Sequence, residues 1–95
     1  MLRLRALSLA LLVAACDDHI STEQCDALLD RYVELLAASD GREAGAEELL
    51  RLQREARMRA ALDPEFSRCT EEVSKRQLEC AMRAPSADEI ERCLL

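Results

Sequence analysis

The chain has 95 residues with 13 basic and 19 acidic side chains, a net charge of −6, and Tyr32 and Phe66 as its whole aromatic complement. A chain of this length supports one small domain near the lower limit for an unassisted core. The acidic balance argues against nucleic acid, whose phosphates need clustered positive charge, and against electrostatic adhesion to anionic lipid.

At the N-terminus, Arg3 and Arg5 precede the apolar stretch Ala6 to Ala15, in which Ser8 is the only hydroxyl. That is the layout of an export signal, a positive n-region followed by an h-region of about 7–15 residues. A membrane-spanning helix needs roughly 20 apolar residues, so the stretch is too short to be a permanent span. Val13-Ala14-Ala15-Cys16 resembles the lipobox of bacterial lipoproteins, with Val13 where leucine is commoner. The resemblance implies diacylglyceryl transfer to the Cys16 sulfur, cleavage before Cys16, and acylation of the new amino group. Each buried methylene contributes ~0.8 kcal/mol and two chains make a stable anchor, so the membrane partner would be held through acyl chains alone. Asp17 resembles the inner-membrane retention signal of some bacterial lipoproteins; that code differs between bacterial groups, so inner and outer membranes both stay open. The alternative is an ordinary secretory signal with a cysteine near the cut. The chain thus divides into a cleaved signal over 1–15, an acylated tether over 16–20 and a helical domain over 21–95. Loss of Arg3 and Arg5 leaves 11 basic against 19 acidic side chains, a net −8.

The domain reads as all-α, a small disulfide-stapled bundle of three longer helices plus a short C-terminal one. Ser21-Thr22-Glu23-Gln24 is a capping box, with Ile20 and Cys25 in the staple positions around it. Cys25, Leu28, Leu29, Tyr32, Val33, Leu35 and Leu36 follow with amphipathic-helix spacing, and Gly41 terminates a helix predicted over about 22–38. After a loop from Asp40 to Gly45, a second helix runs from Ala46 to Leu62. Its apolar stripe of Leu49, Leu52, Ala56 and Ala60 is weak, and it is expected to pack more loosely. Glu47 with Arg51 and Glu55 with Arg59 form favourable i, i+4 pairs on its wet side. Asp63 caps and Pro64 opens a third helix that should run unbroken to about Arg83, with Phe66, Cys69, Val73, Gln77 and Cys80 on one face. Pro85 ends it. Ser86 to Glu89 is a second capping box, with Pro85 and Ile90 in staple positions, and the last helix turns Ile90, Cys93 and Leu94 inward.

With Cys16 assigned to lipid, Cys25, Cys69, Cys80 and Cys93 remain, and four cysteines allow three pairings. On one continuous helix, Cys69 and Cys80 would be separated by a rise of roughly 16 Å, beyond the ~4.4–6.8 Å that a disulfide tolerates between Cα atoms. In an up-down bundle the first and third helices start at the same end, which brings Cys25 level with Cys69 and leaves Cys80 to Cys93. The expected bonds are therefore Cys25–Cys69 and Cys80–Cys93. A metal is not expected, because the gaps of 43, 10 and 12 residues lack the close ligand pairs of a zinc site. The C-x-x-C spacing of a redox site is also missing.

The stretch from Cys69 to Ala84, then Ser86 to Cys93, together with Cys25, resembles a small family of bacterial four-cysteine helical lipoproteins. That resemblance implies a helical envelope protein and carries no catalytic residues. The residues point the same way: the one histidine, His19, sits in the tether, and Glu71, Glu72, Glu79, Asp88, Glu89 and Glu91 decorate helix exteriors. No glycine loop could cradle a phosphate. No enzyme and no cofactor is expected. The expected function is a membrane-anchored, non-catalytic binding or adaptor module in the cell envelope, meeting a protein partner. Leu35, Met58, Leu78 and Met82 are its candidate contact residues if they lie outside the core. The alternatives are a secreted, non-lipidated helical protein and a self-associating structural component.

Overall fold

A computed structural model describes residues 18–39 and 45–95. The signal segment, Cys16 and Gly41 lie outside the described residues. Helix α1 spans Thr22–Ser39 and α2 spans Ala46–Ala61. A 3₁₀ turn at Phe66–Arg68 leads into α3, Cys69–Glu72, followed by α4, Lys75–Arg83, and α5, Ala87–Cys93. No strand occurs among the described residues, although His19 and Ser74 form an isolated antiparallel bridge. The protein is all-α and disulfide-stapled.

The start of α1 follows from its capping box. Gln24 N–H donates to Ser21 Oγ at 3.1 Å, and Ser21 N–H donates to Gln24 Oε1 at 2.8 Å. Two amide protons that the helix leaves without partners are thereby satisfied. Ile20 and Cys25 flank the cap and are buried together, which fixes the angle at which the chain enters the helix.

The third long helix starts later than Pro64 and is divided: Asp63 Oδ1 accepts from Glu65 N–H at 2.9 Å in a turn, and the α-helix begins only at Cys69. Val73 is extended (φ −95°, ψ 122°) and Ser74 caps a new helix. Gln77 N–H donates to Ser74 Oγ at 3.1 Å while Ser74 N–H donates to Gln77 Oε1 at 2.9 Å, a reciprocal box like the one at Ser21. A β-branched residue followed by serine is a poor helix interior and a good boundary, since the hydroxyl competes for backbone partners. The break restarts the helical phase, so α4 turns Leu78 and Ala81 inward in place of Cys80, which is exposed. It also frees backbone groups: Lys75 N–H donates to the Asp18 carbonyl at 3.3 Å, beside the His19–Ser74 bridge. Residues 18–20, expected as part of a tether, are therefore docked on the helices. Ile20 is only 4% exposed, and the folded body includes residues 18–20.

Two small apolar clusters share Val73 and Leu78. One gathers Leu28, Ala81, Ala84 and Ile90, with Tyr32, Leu35 and Leu94 packed against it; the other gathers Ile20, Cys25 and Cys69, with Phe66. Ala81 is fully buried and Ile90 is 1% exposed, so alanines let the backbones of α1, α4 and α5 approach closely around one large side chain. Burying Ile90 contributes about 1.5–3 kcal/mol. At α5, Ser86 Oγ accepts from Glu89 N–H at 3.2 Å, while Pro85 is exposed and takes no part in a staple.

Helix α2 buries no residue, in keeping with its weak stripe. Leu49, Leu52, Ala56 and Ala60 are half-buried against the body. Polar contacts supplement them: Gln53 Nε2 donates to the Asp30 carbonyl at 3.2 Å, and Arg57 forks onto the Asp30 carboxylate. The predicted i, i+4 pairs are exchanged for others. Arg51 reaches Glu55 at 2.8 Å and Glu48 at 3.8 Å, one guanidinium serving the turns on both sides.

Replacing Ser74 by alanine should remove the cap that starts α4 and cost about 1 kcal/mol. A lower urea midpoint with an unchanged denaturant slope is the expected result. An unchanged midpoint would mean that Val73, and not the cap, ends the preceding helix.

Candidate functional site

The chemistry-bearing residues among those described are the four cysteines, and they are joined in two disulfides. Cys25 on α1 bonds to Cys69 at the start of α3, with Cα atoms 6.2 Å apart. Cys80 on α4 bonds to Cys93 at the end of α5, with Cα atoms 5.7 Å apart. The division of the third helix removes the premise that Cys69 and Cys80 lie on one rigid rod. What brings Cys69 to Cys25 is the shared end of the bundle, where Ile20 and Phe66 cover the bond.

The bonds differ in setting. Cys25 is 2% exposed and Cys69 is buried, so that sulfur pair is core material. Cys80 is exposed and Cys93 half-buried, so the second bond is a clasp on the rim of the α4–α5 hairpin. Beside the first bond lies a cavity of about 410 Å³ lined by Cys25, Ala60, Ala61, Phe66 and Cys69, with Asp26 and Arg57 among its polar residues. The Asp30 carboxylate raises the Arg57 guanidinium further above its ordinary range, by hydrogen bond and then by charge. That ties the cation to α1.

His19 is exposed and its backbone is bridged to Ser74. The acidic residues Glu71, Glu72, Glu79, Asp88, Glu89 and Glu91 are all exposed. Glu72 pairs with Arg68 at 3.8 Å and Glu79 with Arg83 at 4.0 Å, which are surface contacts worth little. Among the described residues no group of three or more His, Cys, Asp or Glu side chains could hold a metal ion. No described helix is long and apolar enough to cross a membrane.

The candidate contact residues separate into two sets. Leu35 and Leu78 pack against the core clusters, whereas Met58 and Met82 are exposed. Leu50 and Leu62, on and just beyond α2, are exposed as well, Leu62 at 86%. Neither was singled out from the sequence, since Leu50 flanks the weak stripe and Leu62 follows the last residue of α2.

A polar contact joins the first and last helices. Tyr32 Oη donates to Glu91 Oε1 at 3.0 Å, linking α1 to α5. Burial first, then the hydrogen bond and charge of Glu91 and the charge of Asp88, push the Tyr32 phenol above its ordinary value. Arg31 adds a second link, donating from Nη2 to the Ala84 carbonyl at 3.4 Å.

No family model matches this chain, and no curated protein or solved structure matches it.

Tyr32 is the only tyrosine, so its titration can be read by absorbance alone. Because folding favours the neutral phenol, its contribution to stability is complete below about pH 10 and is lost as pH rises through the folded value. The folded protein should titrate later than the denatured chain. Glu91→Ala should bring the two closer without merging them, since burial is the larger cause. Coincident curves for folded and denatured protein would refute the contact. The disulfides give a second test. Loop-closure entropy assigns ~4 kcal/mol to the Cys25–Cys69 bond and ~3 kcal/mol to Cys80–Cys93, with sequence separations of 44 and 13. Cys25→Ser with Cys69→Ser should therefore lower the urea midpoint more than Cys80→Ser with Cys93→Ser, and the reverse order would show that the rim clasp matters more than the buried bond.

Proposed function

We propose that the chain is a bacterial lipoprotein in which residues 1–15 are an export signal, Cys16 carries the acyl chains, and the helical body is a non-catalytic binding or adaptor module in the cell envelope. The observation that carries this reading is Val13-Ala14-Ala15-Cys16 at the end of an apolar stretch headed by Arg3 and Arg5. The disulfides support it in two ways. Of five cysteines, four are taken up in pairs with one another, and the fifth is Cys16. Paired cysteines also suit an oxidising compartment outside the cytoplasm.

The adaptor part of the reading draws on α2. Its outer side exposes Leu50 and Met58, with Leu62 just beyond its end, and it buries nothing of its own. A helix held to its own domain by half-buried residues and an ion pair has apolar surface left for a neighbour. The same surface favours a second reading, self-association through α2.

Intact mass of the membrane fraction should show loss of residues 1–15 plus acyl mass on Cys16. Cys16→Ala should abolish the acyl mass, leaving either a precursor that still carries residues 1–15 or a soluble product cut by another peptidase. Wild-type protein that is soluble and carries no acyl mass would refute the anchor and favour the secreted alternative. Sedimentation of the Cys16→Ala protein without its signal separates the two uses of α2, a monomer favouring a foreign partner and a dimer lost on Met58→Glu favouring self-association.

A further inference from the structure

A five-residue tether from Cys16 to Ser21 could stretch about 17 Å and let a domain tumble freely. The body leaves no such leash. Lys75 N–H holds the Asp18 carbonyl at 3.3 Å, His19 is bridged to Ser74, and Ile20 is buried against Cys25 and Cys69. From Asp18 back to Cys16 the chain can span no more than about 7 Å, whatever conformation it takes.

The helices run in known directions from that point. Helix α1 begins at Thr22 and α4 at Lys75, both beside the docked segment, and the two run the same way, since Arg31 on α1 reaches the Ala84 carbonyl at the end of α4. Ser39, the last residue of α1, therefore lies about 26 Å from Thr22 along the helix axis. We propose that, in the anchored protein, the end of the bundle where α1 and α4 begin is held against the lipid surface, and the end at Ser39 faces away from it. The proposal rests on the lipid anchor at Cys16 proposed above. The side chains at the near end suit this position: Asp18, His19, Glu23, Lys75 and Arg76 are exposed and polar, matched to the hydrated headgroup layer. The end of α2 lies there too, since Ala61 lines one cavity with Thr22 and Cys25, and it adds the exposed Leu62 as a single apolar contact beside the acyl chains. A protein partner would then meet the sides or the far end of the bundle.

Lys75 is the only lysine in the chain, and once the Cys16 amino group is acylated its side chain is the one amine left for an amine-reactive dye. The acylated mature product is labelled there, reconstituted in phosphatidylcholine vesicles, and exposed to a quencher carried on the lipid headgroup. A second protein, Lys75→Arg with Ser39→Lys, carries the dye at the opposite end, and peptide mass confirms the labelled position in each. The dye at Lys75 should be quenched several-fold more strongly than the dye at position 39. A flexible insert of about ten Gly and Ser residues between Asp17 and Asp18 should abolish the difference. Equal quenching at the two positions, or stronger quenching at 39, in protein whose mass shows acylated Cys16 would overturn the orientation and leave the anchor standing. Absence of acyl mass removes the anchor and the orientation with it.

Discussion

Cys25 and Cys69 are both buried, and the bond between them stands where a better-provided core would place large aromatic side chains. With Tyr32 and Phe66 as the only aromatics, the domain has little apolar volume to collapse around. The sulfur pair supplies both volume and a covalent constraint on the unfolded chain. Ile20, Phe66, Val73 and Leu78 all pack against this point. The entry into α1, the start of α3 and the docking of residues 18–20 converge on it.

The second cluster is organised differently. Ala81 and Ala84 are buried in it, and their small size brings helix backbones close enough for Leu28 and Ile90 to fill the remaining space. A core built this way is sensitive to any added methyl group, because close-packed interiors have no slack. The Tyr32–Glu91 and Arg31–Ala84 contacts lie at the edge of this cluster and set α5 and the α4 terminus against α1. Helix α2 stands apart from both clusters. Glu47 and Glu48 in its first turn and Arg59 in its last suit the helix dipole, so α2 owes its form to local chemistry more than to burial.

Where the helices begin was largely legible, because serine followed three residues later by Gln or Glu is a local device that needs no distant partner. Ser21 with Gln24 and Ser86 with Glu89 stood out on that basis. Ser74 with Gln77 carries the same S-x-x-Q signal, but the apolar spacing of Cys69, Val73 and Cys80 suggested a single continuous face. The cap holds the break by satisfying two amide protons at the new helix start, and the phase it sets turns Leu78 and Ala81 inward. The candidate contact residues were half legible. Met58 and Met82 are exposed, but Leu35 and Leu78 could be assigned to the core only once the phases of α1 and α4 were known.

Composition and local pattern by themselves determined an acidic, helical domain with a thin core, an apolar stretch that ends at Cys16, and four further cysteines suited to crosslinks. These properties reside in single residues or in neighbours a few positions apart, and they do not depend on how the chain returns on itself. The tertiary structure alone decided that residues 18–20 belong to the body. The hydrogen bond from Lys75 to Asp18 and the bridge from His19 to Ser74 join backbone groups more than 50 residues apart. Backbone amides and carbonyls are the same at every position, so no side-chain pattern announces such a pairing. Only the break at Val73, held by its cap and by the nearby disulfide, makes those groups available.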